Sequence, residues 1–443
     1  MGKINGIILK IKKSDFWSKL FKNVTTVLVG NGGSSIINLI VTIIMTRCLG
    51  NTSYGIFLIA LQYMNLLDGI FNYQSWAGVI KYGSEAVVER RDDKLAAIFK
   101  SGFIVDIVTA IIGTIIALII LPLVVLFMKW DGNLPILAVL FSVEILFHIE
   151  GTSVGILRLY DKFSLTAKQA IIAATLKLVL VGGYLIFDGK SLIIVTILYV
   201  VTDIIKHLML VIMALLILQK RLGIKRVIKS SVKILDKSFL KYTLWNNISY
   251  TADVPVKYFD VFIISLISVD MVAIYKVFKQ IILAFSMLVN PISQAILPQF
   301  SELVAMNRTK EALTKVLKLR NAILAVGAVA VIGSLILGRP VFTFILGKEY
   351  GDNLFLFMVL FCISIMTMSY TAIHPFFASL GVAKIDFIIT AVSNVVYMIV
   401  AIGLVKVMGI YSIILATGMQ GASCVCMKYR YTCNHFLQNR GDK

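Results

Sequence analysis

Uncharged apolar runs as long as a bilayer crossing recur along the whole sequence, and "IVTAIIGTIIALIILPLVVLFM" at 107–128 is one of them. A helical crossing needs about 20 such residues, so a chain built from these runs is an integral membrane protein. The mean hydropathy of +0.91 agrees, as does a composition of 59% hydrophobic against 15% charged residues; both lie outside the soluble range. The strict apolar and polar alternation of a transmembrane barrel is absent, so the spans are helices. Charged or turn-rich breaks place about 12 of them, at 24–47, 54–79, 102–128, 134–157, 165–187, 191–218, 240–268, 271–298, 314–338, 353–379, 385–406 and 409–433. Several exceed the minimum length, which implies tilt or extension beyond the membrane.

Charge sets the orientation. The alternate loops at 81–100, 158–168, 220–241 and 308–320 and Lys384, with both termini, are rich in Lys and Arg, whereas the opposite loops hold only Arg47, Lys129, Lys190, Arg339, Lys348 and Lys406. Both termini are therefore expected in the cytoplasm. The stretch 1–23, "MGKINGIILKIKKSDFWSKLFKN", is basic, lacks a small-residue cleavage site and reads as a retained cytoplasmic tail. The formal charge of +20 reflects this asymmetry, so it speaks for anionic membrane lipids as partners and not for nucleic acid. Cys48, Cys362, Cys424, Cys426 and Cys433 fall in or beside spans and read as small buried hydrophobes.

The two halves repeat. A single register lays Gln62 on Gln280, Asn72 on Asn290, Ser75 on Ser293, Ala77 on Ala295 and Pro122 on Pro340. An even number of spans per half makes the halves parallel repeats. The expected fold is an all-α membrane protein with an N-lobe at 24–218, a cytoplasmic linker at 219–239 and a C-lobe at 240–438. Such repeats belong to secondary transporters, which bind substrate between lobes and rock around it. An enzyme is not expected: no sizeable loop carries acids or metal ligands, and no nucleotide-binding glycine loop occurs.

The segments "TRCLGNTSYGIFLIALQYMNLL", "FNYQSWAGVIKYGSE", "VAIYKVFKQ" and "NPISQAILPQFSEL" resemble the polysaccharide transport family of the MOP exporter superfamily. Arg47, Leu49, Gly50, Tyr54, Gly55 and Phe57 match its Arg-x-Leu-Gly and Tyr-Gly-x-Phe elements, and the resemblance covers nearly the whole chain. It implies a MATE-like, V-shaped exporter in the bacterial cytoplasmic membrane. It also implies a flippase moving polyprenyl-pyrophosphate-linked oligosaccharide by alternating access, as the Wzx proteins do for O-antigen or capsule. A polysaccharide polymerase and glycosyltransferases are the expected protein partners. Lipid II flippases of the superfamily typically carry two further C-terminal spans, which makes lipid II the less expected substrate.

Charges inside the spans mark the candidate site. Lys177, Lys206, Lys257, Lys276 and Lys279 would each cost about 2.5–3.5 kcal/mol in lipid if unrelieved. Asp68, Asp106, Glu144, Glu150, Asp203, Asp253 and Asp260 share the spans with them. Spacings of three and four residues offer local pairs: Asp253 or Asp260 with Lys257, and Asp203 with Lys206. Lys276 and Lys279 have no acid at those spacings, yet they lie in a polar stripe with Gln280, Asn290 and Gln294 whose repeat equivalent is Gln62, Asn65 and Asn72. The two stripes are expected to face each other across a cleft, with the five lysines holding pyrophosphate and these amides, with Asn246, holding sugar. Asp68, Glu144 (paired with His148), Asp253 and Asp260 are candidates for coupling to a proton or sodium ion, the only cofactor expected. His207 and His374 have no ligand set in the sequence, so no metal site is expected. A multidrug or cationic-solute antiporter is the alternative, and it predicts an acidic cavity in place of lysines.

Overall fold

The computed structural model describes residues 2–231 and 237–437, with side chains described throughout except at 2–24, 26–28, 249, 288–295, 298 and 437. Every regular element among the described residues is helical: α1 Gly2–Phe71, α2 Trp76–Val88, α3 Asp92–Met128, α4 Leu134–Phe147, α5 Gly151–Leu159, α6 Phe163–Lys177, α7 Gly183–Ile186, α8 Leu192–Arg221 and α9 Ile224–Lys229. The second half follows with α10 Lys237–Thr251, α11 Val254–Ser265, α12 Val269–Ala305, α13 Thr309–Ile345, α14 Lys348–Asp352, α15 Leu354–Ser369, α16 Ile373–Ser379, α17 Ala383–Met408 and α18 Tyr411–Thr432. A π turn at Leu178–Gly182 joins α6 to α7.

Each of the 12 expected segments is mostly helical. Among the described residues, seven stretches are long and apolar enough to cross a membrane, or eight if the bent pair α4 and α5 is one span. The first of these runs 60 residues, Val29–Val88, or roughly 90 Å against a hydrocarbon core of about 30 Å. It is not one rod, because Gly50 sits at φ 76 and ψ 167, a region open essentially to glycine alone. The expected break between the first two spans therefore resides in one residue. On α3, Ile107, Ile111, Ile115, Ile119, Leu123 and Phe127 point outward, the apolar outer face that lipid requires.

The chain divides into two compact units, Met1–Val41 with Leu67–Ile248 and Thr42–Leu66 with Ser249–Lys443. This differs from the expected lobes in two places. Residues 42–66, from the first and second spans, belong with the second unit, and 240–248 belong with the first. In the first unit Val79, Leu95, Phe99, Ile156, Leu218 and Phe239 form a core beneath α2, α3 and α5. In the second unit Phe278, Phe342 and Phe357 pack with centroids 4.8–5.4 Å apart, Phe357 edge to face with the other two, adding aromatic contact to area burial.

Several spans are interrupted: at 72–75 between α1 and α2, at 148–150 between α4 and α5, at 252–253 between α10 and α11, and at 370–372 between α15 and α16. Each interruption frees backbone groups that lipid cannot satisfy. Asp106 of α3, 1% exposed, serves two breaks at once. Its Oδ1 accepts from the Ser75 N–H at 3.1 Å and its Oδ2 from the Thr152 N–H at 2.6 Å, so one carboxylate caps α2 and α5 and complements both helix dipoles. Asn72 donates to the His148 carbonyl at 2.8 Å. In the second unit Asn394 donates to the Ala252 carbonyl at 2.9 Å.

Two substitutions test this reading. Gly50→Ala is expected to cost about 1–3 kcal/mol through its backbone conformation alone. Asp106→Ala removes two charge-assisted bonds, worth about 1.5–3 kcal/mol each, and Asp106→Asn, which keeps one acceptor, falls between it and the wild type. The thermal midpoint of detergent-solubilised protein is the measurement, and an unshifted midpoint for Asp106→Ala contradicts the double-cap role.

Candidate functional site

Each unit gathers ionisable side chains from helices distant in sequence. In the first unit the break after Phe147 is the organising feature. Because α4 ends there, His148 is no longer one turn above Glu144, and the expected Glu144–His148 pair does not form. His148 turns to α1 instead: its Nδ1 lies 2.7 Å from Asp68 Oδ2, while Asn72 donates to Asp68 Oδ1 at 2.8 Å. Glu144 lies with Oε1 3.6 Å from His207 Nε2 of α8. Glu150 stands between the two histidines, with Oε2 2.7 Å from His207 Nδ1 and Oε1 3.7 Å from His148 Nε2.

One turn before His207, Lys177 reaches from the end of α6 and donates to both Asp203 oxygens at 2.8 Å. It also lies over the Tyr199 ring, 3.4 Å from the centroid. The expected Asp203–Lys206 pair therefore gives way to one between helices. Lys206, half-buried, sits in the field of Asp203, Glu150 and Glu144, and its carbonyl accepts from Gln169 at 2.8 Å. Four acids (Asp68, Glu144, Glu150 and Asp203) face two lysines here, so the cluster is acid-rich.

The second unit has the opposite balance. Lys279 of α12 donates to Asp260 of α11, which is 0% exposed, and Lys276 lies one turn away in the field of the same carboxylate. Two lysines thus share one acid. Lys257 departs from expectation: among the described residues no ion pair joins it to Asp253 or Asp260, and its ammonium sits 4.2 Å from the Tyr250 ring centroid. Asp253 lies in the α10–α11 break, where it accepts from Asn394 at 3.0 Å.

The polar stripes are also divided. Gln62, Asn65 and Gln280 belong to the second unit and Asn72 to the first. Gln280 accepts from Thr42 at 3.0 Å, Asn65 donates to its own helix at Leu61, and the buried Gln62 Oε1 has no hydrogen-bond partner. Asn246 is half-buried on α10, while Asn290 and Gln294 lie outside the residues whose side chains are described.

Two residues escaped the sequence reading. Glu150 was legible only as one more intramembrane acid. Lys428 of α18 is 0% exposed, and its Nζ lies 2.5 Å from Asp386 and 2.9 Å from His374 Nδ1. Its position inside the apolar 409–433 run was the available signal. The expectation of no metal ligands for His207 is also revised: His148, Glu150 and His207 each offer a ligand atom within 4.8 Å of the others.

The family model for "polysaccharide biosynthesis protein" matches residues 20–304, more than half of the chain. The chain belongs to this family. Among curated proteins, the Escherichia coli inner membrane protein YghQ is 24% identical over 142 residues, 31% of this chain and 40% of that protein; the match thus spans less than half of YghQ. Two solved structures share the fold of this polysaccharide biosynthesis family member. A multidrug resistance MATE transporter of the MOP superfamily superposes with a TM-score of 0.71 at 12% identity, covering 91% of this chain and 95% of its own. The lipid II flippase MurJ gives 0.67 at 17% identity, covering 90% and 85%. The chain is an all-α, multi-pass membrane protein of the MOP exporter superfamily.

The Lys177–Asp203 pair yields a thermodynamic test. Lys177→Met leaves a buried carboxylate uncompensated and is expected to cost about 3–5 kcal/mol, whereas Lys177→Met with Asp203→Leu recovers most of it. Thermal unfolding of both single variants, the double variant and the wild type measures the coupling, and additive losses contradict the pairing.

Proposed function

We propose that this protein flips polyprenyl-pyrophosphate-linked oligosaccharide across the bacterial cytoplasmic membrane by alternating access, for assembly of a surface polysaccharide. The observation that carries this reading is the excess of cation in the second unit, where Lys276 and Lys279 share the single acid Asp260. Pyrophosphate brings about two negative charges into a medium that solvates none, and a mobile ammonium answers it without fixing one geometry through a transport cycle. Lys279 is held by Asp260, so Lys276 is the cation free to answer substrate, with Lys257 on its aromatic face as a second. Amides such as Gln62, Asn65 and Gln280 suit sugar hydroxyls. A polymerase and glycosyltransferases would act on the flipped product and supply the substrate. Coupling to a proton or sodium gradient fits Glu144 of the first unit, whose Oε2 has no hydrogen-bond partner among the described residues, better than Asp68, Asp253 and Asp260, which His148, Asn394 and Lys279 engage.

The acid excess of the first unit favours a second reading, export of a cationic solute. One variant separates the two. Lys276→Gln leaves the Lys279–Asp260 pair intact, so the protein is expected to reach the membrane at wild-type level. In cells lacking the native copy it should then restore surface polysaccharide at least tenfold less well, with lipid-linked oligosaccharide accumulating on the cytoplasmic leaflet. Full restoration removes Lys276 from the site. A normal oligosaccharide pool in cells without the protein, together with new sensitivity to cationic drugs, replaces the flippase by the antiporter.

A further inference from the structure

We infer that the break between α4 and α5 is a binding site for one divalent transition-metal ion, held by His148, Glu150 and His207. The geometry is that of a ligand set with its outer partners in place. His148 Nδ1 is engaged by Asp68 at 2.7 Å, which leaves the Nε2 lone pair to the Gln74 amide at 3.3 Å, the bond a metal would replace, with Glu150 Oε1 3.7 Å away. Donor atoms set tetrahedrally at 2.0–2.2 Å from zinc stand roughly 3.3–3.6 Å apart, so this separation needs little adjustment. His207 has a carboxylate on its far side at a longer distance: Glu144 Oε1 lies 3.6 Å from its Nε2, and its Nδ1 faces Glu150 Oε2 at 2.7 Å. Metal binding at Nδ1 replaces that last hydrogen bond, and the neutral ring then carries its single proton on Nε2, toward Glu144. The rings lie 4.4 Å apart between centroids. A carboxylate behind each ligating histidine is the arrangement that fixes ring orientation in metal sites.

A further observation points to a cation. Glu144 is 6% exposed, and its Oε2 has no hydrogen-bond partner among the described residues. Imidazole nitrogen suits zinc, cobalt, nickel or iron and not sodium or magnesium, which take oxygen donors. Bound there, the ion ties α8 to the α4–α5 break and, through Asp68, to α1.

The test uses the full-length protein in detergent, with any affinity tag removed and metal stripped by chelation. Titration with Zn²⁺ against a chromophoric chelator is expected to show one equivalent per chain, and Co²⁺ to give visible ligand-field absorption. His148→Gln and His207→Gln should each weaken binding at least ~100-fold, and Asp68→Asn about tenfold. His435→Gln, altering an exposed histidine near the C-terminus, should change nothing. Zinc should raise the thermal midpoint of the wild type and not that of His207→Gln. X-ray absorption of the wild-type zinc complex should show two imidazoles, a readout that does not depend on the variants folding. No saturable equivalent in the wild type, sulfur in the zinc shell, or an equivalent retained in both histidine variants overturns the site.

Discussion

In a membrane interior every backbone N–H and C=O must find its partner within the protein, and this constraint governs the structure wherever a helix stops. A continuous helix meets it unaided. This chain interrupts several of its spans, and at the breaks 72–75, 148–150 and 252–253 a polar side chain from elsewhere in the chain takes over. Asp106 closes two helix starts together, Asn72 holds the carbonyl of His148, and Asn394 holds that of Ala252. Some residues that look like the lining of a transport path are thus the fastenings of broken helices. The breaks in turn release side chains from helical phase, which lets His148, Glu150 and His207 converge.

Charge follows the same logic. Burying an ion is tolerable only with a partner of good geometry, and the partners come from other helices: Asp203 for Lys177, Asp260 for Lys279, Asp386 for Lys428. The result is two clusters of opposite balance, one acid-rich and one with surplus cation.

The helical class, the run of spans and the family were legible in the sequence because they rest on local quantities: apolar length, the spacing of basic loops, and motifs such as Tyr54-Gly55 beside Gly50. The pairing of charges was not. Residue spacing along one helix offered Lys206 to Asp203 and Lys257 to Asp260, whereas the partners that formed, Lys177 and Lys279, stand 26 and 19 residues away. The Glu144–His148 spacing failed for a different reason, since it presumes a helix that ends at Phe147. The assignment of residues 42–66 to the second unit likewise depends on packing between distant helices, which no repeat alignment reveals.

The most direct measurement is reconstituted translocation. Purified protein in liposomes, given a polyprenyl-pyrophosphate oligosaccharide bearing a fluorophore that an impermeant reductant bleaches, reports the transfer of lipid between leaflets. The expected result is that labelled lipid protected in protein-free liposomes becomes accessible when the protein is present, and that unlabelled polyprenyl-pyrophosphate oligosaccharide competes with it. Accessibility equal to that of protein-free liposomes, while the same preparation moves a cationic dye, would contradict a flippase whose second unit receives pyrophosphate.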